Sequence, residues 1–491
     1  MPRNFPTYAA FVLVVCTLAA SAPAAVRTVT NTNDVGIGSL RAAISAAVSG
    51  DEIRFAIGET GVQTINPATA LPPIAAGVTI NGISQAGASC AMWPPTLLIE
   101  LAGDAAPGGT DGLSITGNDV LVRGLVINSF LGDAIRVTNA SGVHIECNFI
   151  GTDATGSQDY GNAGVGVRLV GSTFAMIGGG DVSQRNLISA NAVAGALIDD
   201  TSSANSVMGN YIGTDAAGAT RLDNFNGVTV RGASNGIEGN LISGNTKSGV
   251  LCDVATATGN GVLGNRIGSN ATDTASLPNG DAGVSMVNGA SQNTVGTLAD
   301  GNRFRANEAN GVWVDGATSI RNSIRGNSMT ENGAIGIALG AMFSENPNDA
   351  DDPDSGPNRL QNTPVLVDVA YAAGLNQVTA TFAVTTNPAN ASYPLLVDFY
   401  GADIDDDEGE FYLGTLSYEA SDFAVGNVAK SFTPLGTVMV GDAVVATATD
   451  ADGNTSEFTA EALTVVVPEP AALASSFVAI AALAARRRRL S

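Results

Sequence analysis

The stretch GNLISGNTKSGVL, residues 239–251, decides the fold. It sets an asparagine before an apolar pair, passes through a polar turn, and enters a short β-branched strand through a glycine. Both markers recur. An asparagine stands before a comparable pair at Asn148, Asn186, Asn210, Asn240, Asn265, Asn302 and Asn327, at intervals of 38, 24, 30, 25, 37 and 25 residues. Spacing of this size is the signature of a solenoid, whose units bury their apolar faces only against their neighbours. In the short units the strand glycine follows the asparagine by nine residues, as from Asn240 to Gly249; in the long ones it follows by 16 to 18. The extra residues hold the turn IGTD and its continuation.

Strands of three to five residues, alternately apolar and separated by Gly, Asn, Ser and Asp turns, cannot close a sandwich at this pitch. They predict an all-β chain coiled as a right-handed parallel β-helix, with about 24 residues per turn. Asparagines recurring at one corner are expected to join their side-chain amides up a column, as stacked amides do in other cross-strand ladders. Composition agrees. Glycine supplies 59 of 491 residues and aromatics only 5%, so the core must come from Val, Ile, Leu and Ala.

The flanks divide the chain further. Residues 1–24 read as a secretory signal, with Arg3 before an apolar run and Ala22-Pro23-Ala24 at the cleavage end. Residues 25–110 hold an N-terminal cap and the first rungs; Ser39 is the expected N-cap of a short helix that covers the open end of the solenoid. The repeats fill 111–345, an acidic linker spans 346–362, and alternating strands over 363–467 predict an immunoglobulin-like β-sandwich. The last segment, 468–491, carries Pro468, Glu469 and Pro470, an uncharged run, and then Arg486, Arg487, Arg488 and Arg489. An apolar stretch followed by arginines suits a short transmembrane segment whose positive end stays cytoplasmic.

That tripartite tail resembles the PEP-CTERM sorting signal of Gram-negative bacteria. The resemblance covers 24 residues and implies an exosortase-type processing enzyme as partner, transient membrane anchoring, and delivery to the cell envelope, outer surface or extracellular matrix. The rungs themselves, with NFIGTDATG at 148–156 and NYIGTDAAG at 210–218, resemble bacterial surface β-helix proteins. Such rungs imply the fold and no single activity.

Charge narrows the chemistry. Of 46 acidic and 22 basic side chains, setting aside Arg3, Glu469 and the four terminal arginines leaves 45 and 17, a net of about 28 negative over the mature body. Such a surface repels phosphate backbones, which excludes nucleic acid as a partner. Two lysines, Lys247 and Lys430, and one histidine, His144, are the whole supply of those residues. Alternation in SGVHIECN turns His144 outward as a surface residue, and Lys247 falls in a polar turn. Of Cys90, Cys147 and Cys252, at most two can pair.

A β-helix lyase or hydrolase would cluster carboxylates on one sheet as acid, base or metal ligands. The adjacent Asp199 and Asp200 are the weak candidates, with Asp153, Asp181 and Asp215 behind them. An aspartate that recurs in alternate rungs is expected to cap its turn; in the third copy, NRIGSNATD, Ser269 is taken to stand in its place. No cofactor is required. Calcium is the one ion the sequence suggests, at Asp403, Asp405 and Asp407 within DIDDDEGE, where alternate carboxylates share one side of a loop. The leading expectation is a surface-sorted, noncatalytic β-helix protein that binds or organises extracellular polysaccharide or mediates adhesion. A polysaccharide lyase or glycoside hydrolase is the rival, and a structural surface spacer the third possibility.

Overall fold

A computed structural model describes residues 24–403, 405 and 407–468. The apolar run read as a secretory signal and the tail from Glu469 through Arg489 lie outside the described residues.

Each rung lays one strand into each of three parallel sheets. Among the described residues sheet 1 has eleven strands, from Val26–Val29 to Ser323–Ile324. Sheet 2 has ten, from Gln63–Ile65 to Ser328–Thr330, and sheet 3 has nine, from Leu113–Ile115 to Ile337–Leu339. One turn shows the register. Ser206–Met208, Tyr211–Ile212 and Asn226–Val230 pair with Gly236–Glu238, Leu241–Ile242 and Val250–Asp253 of the next turn. Side chains alternate across a strand, so Val207, Ile237 and Val262 stack inside sheet 1 while Ile212, Ile242 and Ile267 do so in sheet 2, all fully buried. The right-handed parallel β-helix expected from the spacing is the fold.

The seven repeat asparagines form one column at the corner between sheets 1 and 2. Each side-chain N–H donates to the side-chain oxygen of the next rung at 2.9–3.1 Å, from Asn148 to Asn327. Two further columns stand at the other corners. Asn162, Asn191, Asn224, Asn245, Asn279, Asn307 and Asn332 form the second. Asn205, Asn235, Asn260, Asn293 and Asn322 form the third. The residue type follows from the demand. Asn240 Oδ1 accepts both the backbone and the side-chain N–H of Asn210, while its own Nδ2 donates to Val207 O and Asn265 Oδ1. A buried corner group with two N–H bonds to give and two to accept is a primary amide on a short stem.

The IGTD loops roof the outer face of sheet 2. They leave alternate rungs and arch over the short rung between, meeting through Ala216 N–H to Gly156 O and Ala271 N–H to Gly218 O, both 2.8 Å. Gly218 has φ +65°, and a Cβ there would lie 2.6 Å from that of Ala271, so the stacking itself requires glycine. Under this roof Phe149, Leu187, Val126 and Leu97 make a second apolar cluster. Trp93 closes it, donating from its indole N–H to Ala216 O at 2.7 Å, and Arg185 stacks 4.3 Å from the Tyr211 ring centre and 5.2 Å from that of Trp93. The loop that carries Trp93 is tied down by the Cys90–Cys147 disulfide. Cys252 is free and buried in the core, which pushes its thiol up to about 12.

The ends are closed differently. At the N-terminus the helix Leu40–Ala46, capped by Ser39 Oγ accepting from Ala42 N, buries Leu40, Ala43 and Ile44 against the first rungs. At the C-terminus a small antiparallel sandwich docks on the last rung. Its sheets are Val365–Ala372, Gln377–Ala383 and Val428–Phe432 on one side, and Gly409–Tyr418, Leu395–Ala402, Ala443–Thr449 and Leu463–Thr464 on the other. Tyr400, Val445 and Phe458 enter the β-helix core. Arg325 forms a two-pronged ion pair with the fully buried Asp398, at 2.6 and 2.7 Å. Residues 346–362 run between the two units and contribute Asn358, whose Oδ1 accepts from Asn322 N and so ends the third column.

Candidate functional site

With sheet 2 roofed and both ends closed, the outer face of sheet 1 is where polar side chains gather in register. Parallel pairing brings Glu52 and Arg54, then Thr79 and Asn81, then Leu121 and Arg123, then His144 and Glu146 onto four successive rungs. They are joined side by side. Arg54 Nη2 lies 2.6 Å from Glu52 Oε2, Asn81 Nδ2 donates to Glu52 Oε1 at 2.8 Å, Arg123 Nη1 is 3.5 Å from Glu146 Oε1, and Gln184 Nε2 donates to Glu146 Oε2 at 3.0 Å. Hydrogen bonds from Arg54 and Asn81 hold the Glu52 carboxyl below the usual range, with Arg54 the larger cause. A groove of about 530 Å³ opens beside Arg54, Asn81 and Arg123. Later on the same face small or apolar residues stand at Met176, Gly178, Ser206 and Met208, before Glu238.

The weak catalytic candidates do not join this row. Asp199 Oδ1 accepts from Thr201 N, Gly171 N and Ser202 Oγ, so it caps a turn, and Asp200 is exposed beside it. Asp153 Oδ1 takes the N–H groups of Ser157 and Gln158, and Asp215 Oδ1 those of Ala219 and Thr220. In the third copy Asn270, and not Ser269, holds that place: its Oδ1 accepts from Thr274 N and Ala275 N. The amide replaces the carboxylate because the turn needs an acceptor oxygen and no charge. Asp181 caps a short 3-10 turn through Ser183 N. Lys247 pairs with Asp281 at 3.4 Å on the surface, and His144 is half-buried on the outer face of sheet 1.

The acidic loop is arranged otherwise than its alternation suggests. Asp403 turns inward, where its Oδ2 accepts from Glu331 N at 3.3 Å and its Oδ1 is buried without a partner. Asp405 is exposed and Asp407 half-buried. Among the described residues the acidic group whose ligand atoms all lie within 4.8 Å of one another is Asp349, Asp352 and Asp354. Burial, with repulsion from Asp354 and Asp349 added, pushes Asp352 up to about 6 against hydrogen bonds from Thr386 and Asn362. The buried Glu408 carries the larger shift. Burial raises its carboxyl to about 8, with Asp403 and Asp407 adding to the rise, although Asn332 donates to both of its oxygens.

No family model matches the chain, and no curated protein matches it in sequence. Solved structures do. An alginate lyase from Paenibacillus sp. str. FPU-7 aligns over 65% of this chain and 99% of its own, at 17% identity and a TM-score of 0.35. The A-module of the mannuronan C-5 epimerase AlgE4 from Azotobacter vinelandii aligns over 59% and 80%, at 15% identity and a TM-score of 0.24. Tailspike protein 3 of bacteriophage CBA120 aligns over 62% and 50%, at 12% identity and a TM-score of 0.31. At these scores nothing about activity follows from the likeness.

Proposed function

We propose that the mature chain is an exported β-helix protein that holds an extracellular polysaccharide along the outer flank of sheet 1 and does not cleave it. The observation that carries this reading is the in-register row of Glu52, Arg54, Asn81, Arg123 and Glu146. Rungs stack at ~4.8 Å, a repeat close to that of a linear sugar chain, and alternating donors and acceptors suit a polymer of hydroxyls. The turn aspartates favour binding over cleavage, because their oxygens are engaged by backbone N–H groups. The Cys90–Cys147 disulfide supports export, since such bonds persist in oxidising compartments.

Sorting through Pro468, Glu469, Pro470 and the four terminal arginines belongs to the same proposal; mass spectrometry finding the arginines intact on envelope-bound protein would defeat it. Among the described residues no helix is long and apolar enough to cross a membrane. Incubating residues 25–467 with a polysaccharide panel tests the main reading. Binding without change of chain length is expected, and reproducible shortening or new unsaturated ends would replace it with the lyase or hydrolase reading.

A further inference from the structure

Two residues that line the groove on sheet 1 leave hydrogen bonds of opposite sense unmade, at atoms closed off from solvent. Asn81 and Arg123 are direct register partners, and Asn81 Oδ1 and Arg123 Nε are both buried with no partner. Native structures rarely leave such groups unpaired, because each has given up water for nothing. Asn81 Oδ1 can only accept and Arg123 Nε–H can only donate. A hydroxyl does both at once, accepting from the guanidinium while donating to the amide.

Charge then selects the kind of molecule. Arg54 is paired with Glu52 and Arg123 faces Glu146, so each guanidinium has its own carboxylate and the groove has no spare positive charge. The mature body around it carries about 28 negative charges. A polyanion approaching this face is repelled, and a neutral polymer is not. Ile83, half-buried at the edge of the groove, offers an apolar patch for the C–H face of a ring.

We infer that this groove is the sugar-binding site of the flank and that it takes a neutral, hydroxyl-rich glycan, for which the Arg123 and Asn81 side chains turn to bring Nε and Oδ1 to one hydroxyl. The inference rests on the polysaccharide reading above and adds the place and the class of ligand.

Affinity electrophoresis of residues 25–467 tests it, with dextran, laminarin and hydroxyethylcellulose as neutral probes and alginate and polygalacturonate as acidic ones. A neutral probe is expected to retard the protein and the acidic probes to leave it unretarded. Arg123→Lys keeps the charge but loses the Nε donor, and Asn81→Ala removes the acceptor. Each should weaken retention roughly tenfold, the loss of about one buried hydrogen bond, while Glu238→Gln farther along the face changes nothing. Thermal unfolding checks that the variants fold, and either one alone suffices. Unchanged retention in the variants overturns the groove as the site and leaves the polysaccharide reading standing. Retardation by the acidic probes overturns the ligand class. Retardation by no probe removes the polysaccharide reading and the site together.

Discussion

Replacing one mid-column asparagine tests the physical basis of the fold. Asn240 is buried, and its side chain takes part in four hydrogen bonds with neighbouring rungs. In Asn240→Ala the backbone N–H of Asn210, one side-chain N–H of Asn210, and Val207 O all lose their partner in a place water cannot reach. At about 1–3 kcal/mol for each buried group left unsatisfied, the expected loss is about 3–9 kcal/mol. Asn240→Asp is the sharper test. It keeps both acceptor bonds from Asn210, so a column held by acceptors alone would tolerate it. The carboxylate, however, sets the oxygen that replaces Nδ2 against both Asn265 Oδ1 and Val207 O, and it buries a charge with no cation beside it. Its loss should equal or exceed that of alanine. The assay is urea unfolding followed by far-ultraviolet circular dichroism, with Asp200→Asn as an exposed control expected to be neutral. An Asn240→Asp protein as stable as the parent would refute the account of why these corners are asparagine.

Three further outcomes are expected. Glu408 has a folded value of about 8 against an ordinary 4.5, so its contribution is present in acid and lost as the pH rises through 8. The docking of the sandwich should therefore weaken as the pH rises from about 4.5 to about 8, and Glu408→Gln should flatten that dependence in thermal melts; an unchanged slope would count against it. Replacing Cys90 and Cys147 by serine opens a link spanning 57 residues and should lower stability by about 4 kcal/mol on chain entropy, measured by urea unfolding. The calcium expectation, made for Asp403, Asp405 and Asp407, is tested also at Asp349, Asp352 and Asp354, whose ligand atoms lie within 4.8 Å of one another. Millimolar calcium should then raise the melting temperature and Asp352→Asn should remove the rise, whereas no shift in the parent protein excludes the group as a site.

The solenoid was legible because every rung makes the same local demands. An amide at the corner and a glycine before the strand recur whatever the loop between them does. The second and third amide columns were not read, although Asn245 stands in the opening stretch itself. Their members lie beside loops of changing length, so their intervals look irregular until the rungs are stacked. The recurrence that marked Asp153 and Asp215 as turn residues was a sound guide to their chemistry, and misplacing Ser269 by one residue hid the amide that completes the set. The groove left no local trace. Arg54, Asn81 and Arg123 are far apart in sequence and become neighbours through pairing alone. They also sit at outward positions, which the apolar repeat does not constrain, on early rungs that precede the first corner asparagine of the repeat at Asn148.

All three amide columns point the same way. In each, a side-chain N–H donates to the amide oxygen of the rung that follows, so the stack has a direction, and its last turn arrives with N–H groups to place. The sandwich meets them with oxygens. Gly326 N–H goes to the Tyr400 hydroxyl, Asn332 to the Glu408 carboxyl, Ile324 N–H to Thr455 Oγ1, and Leu339 N–H to Glu457. Much of the acidity that resembles calcium chemistry in the sequence is thereby the complement of a polar stack's terminus. A solenoid of this kind has a head and a tail that are closed by different means: carboxylates and hydroxyls finish one end, and a short helix covers the other.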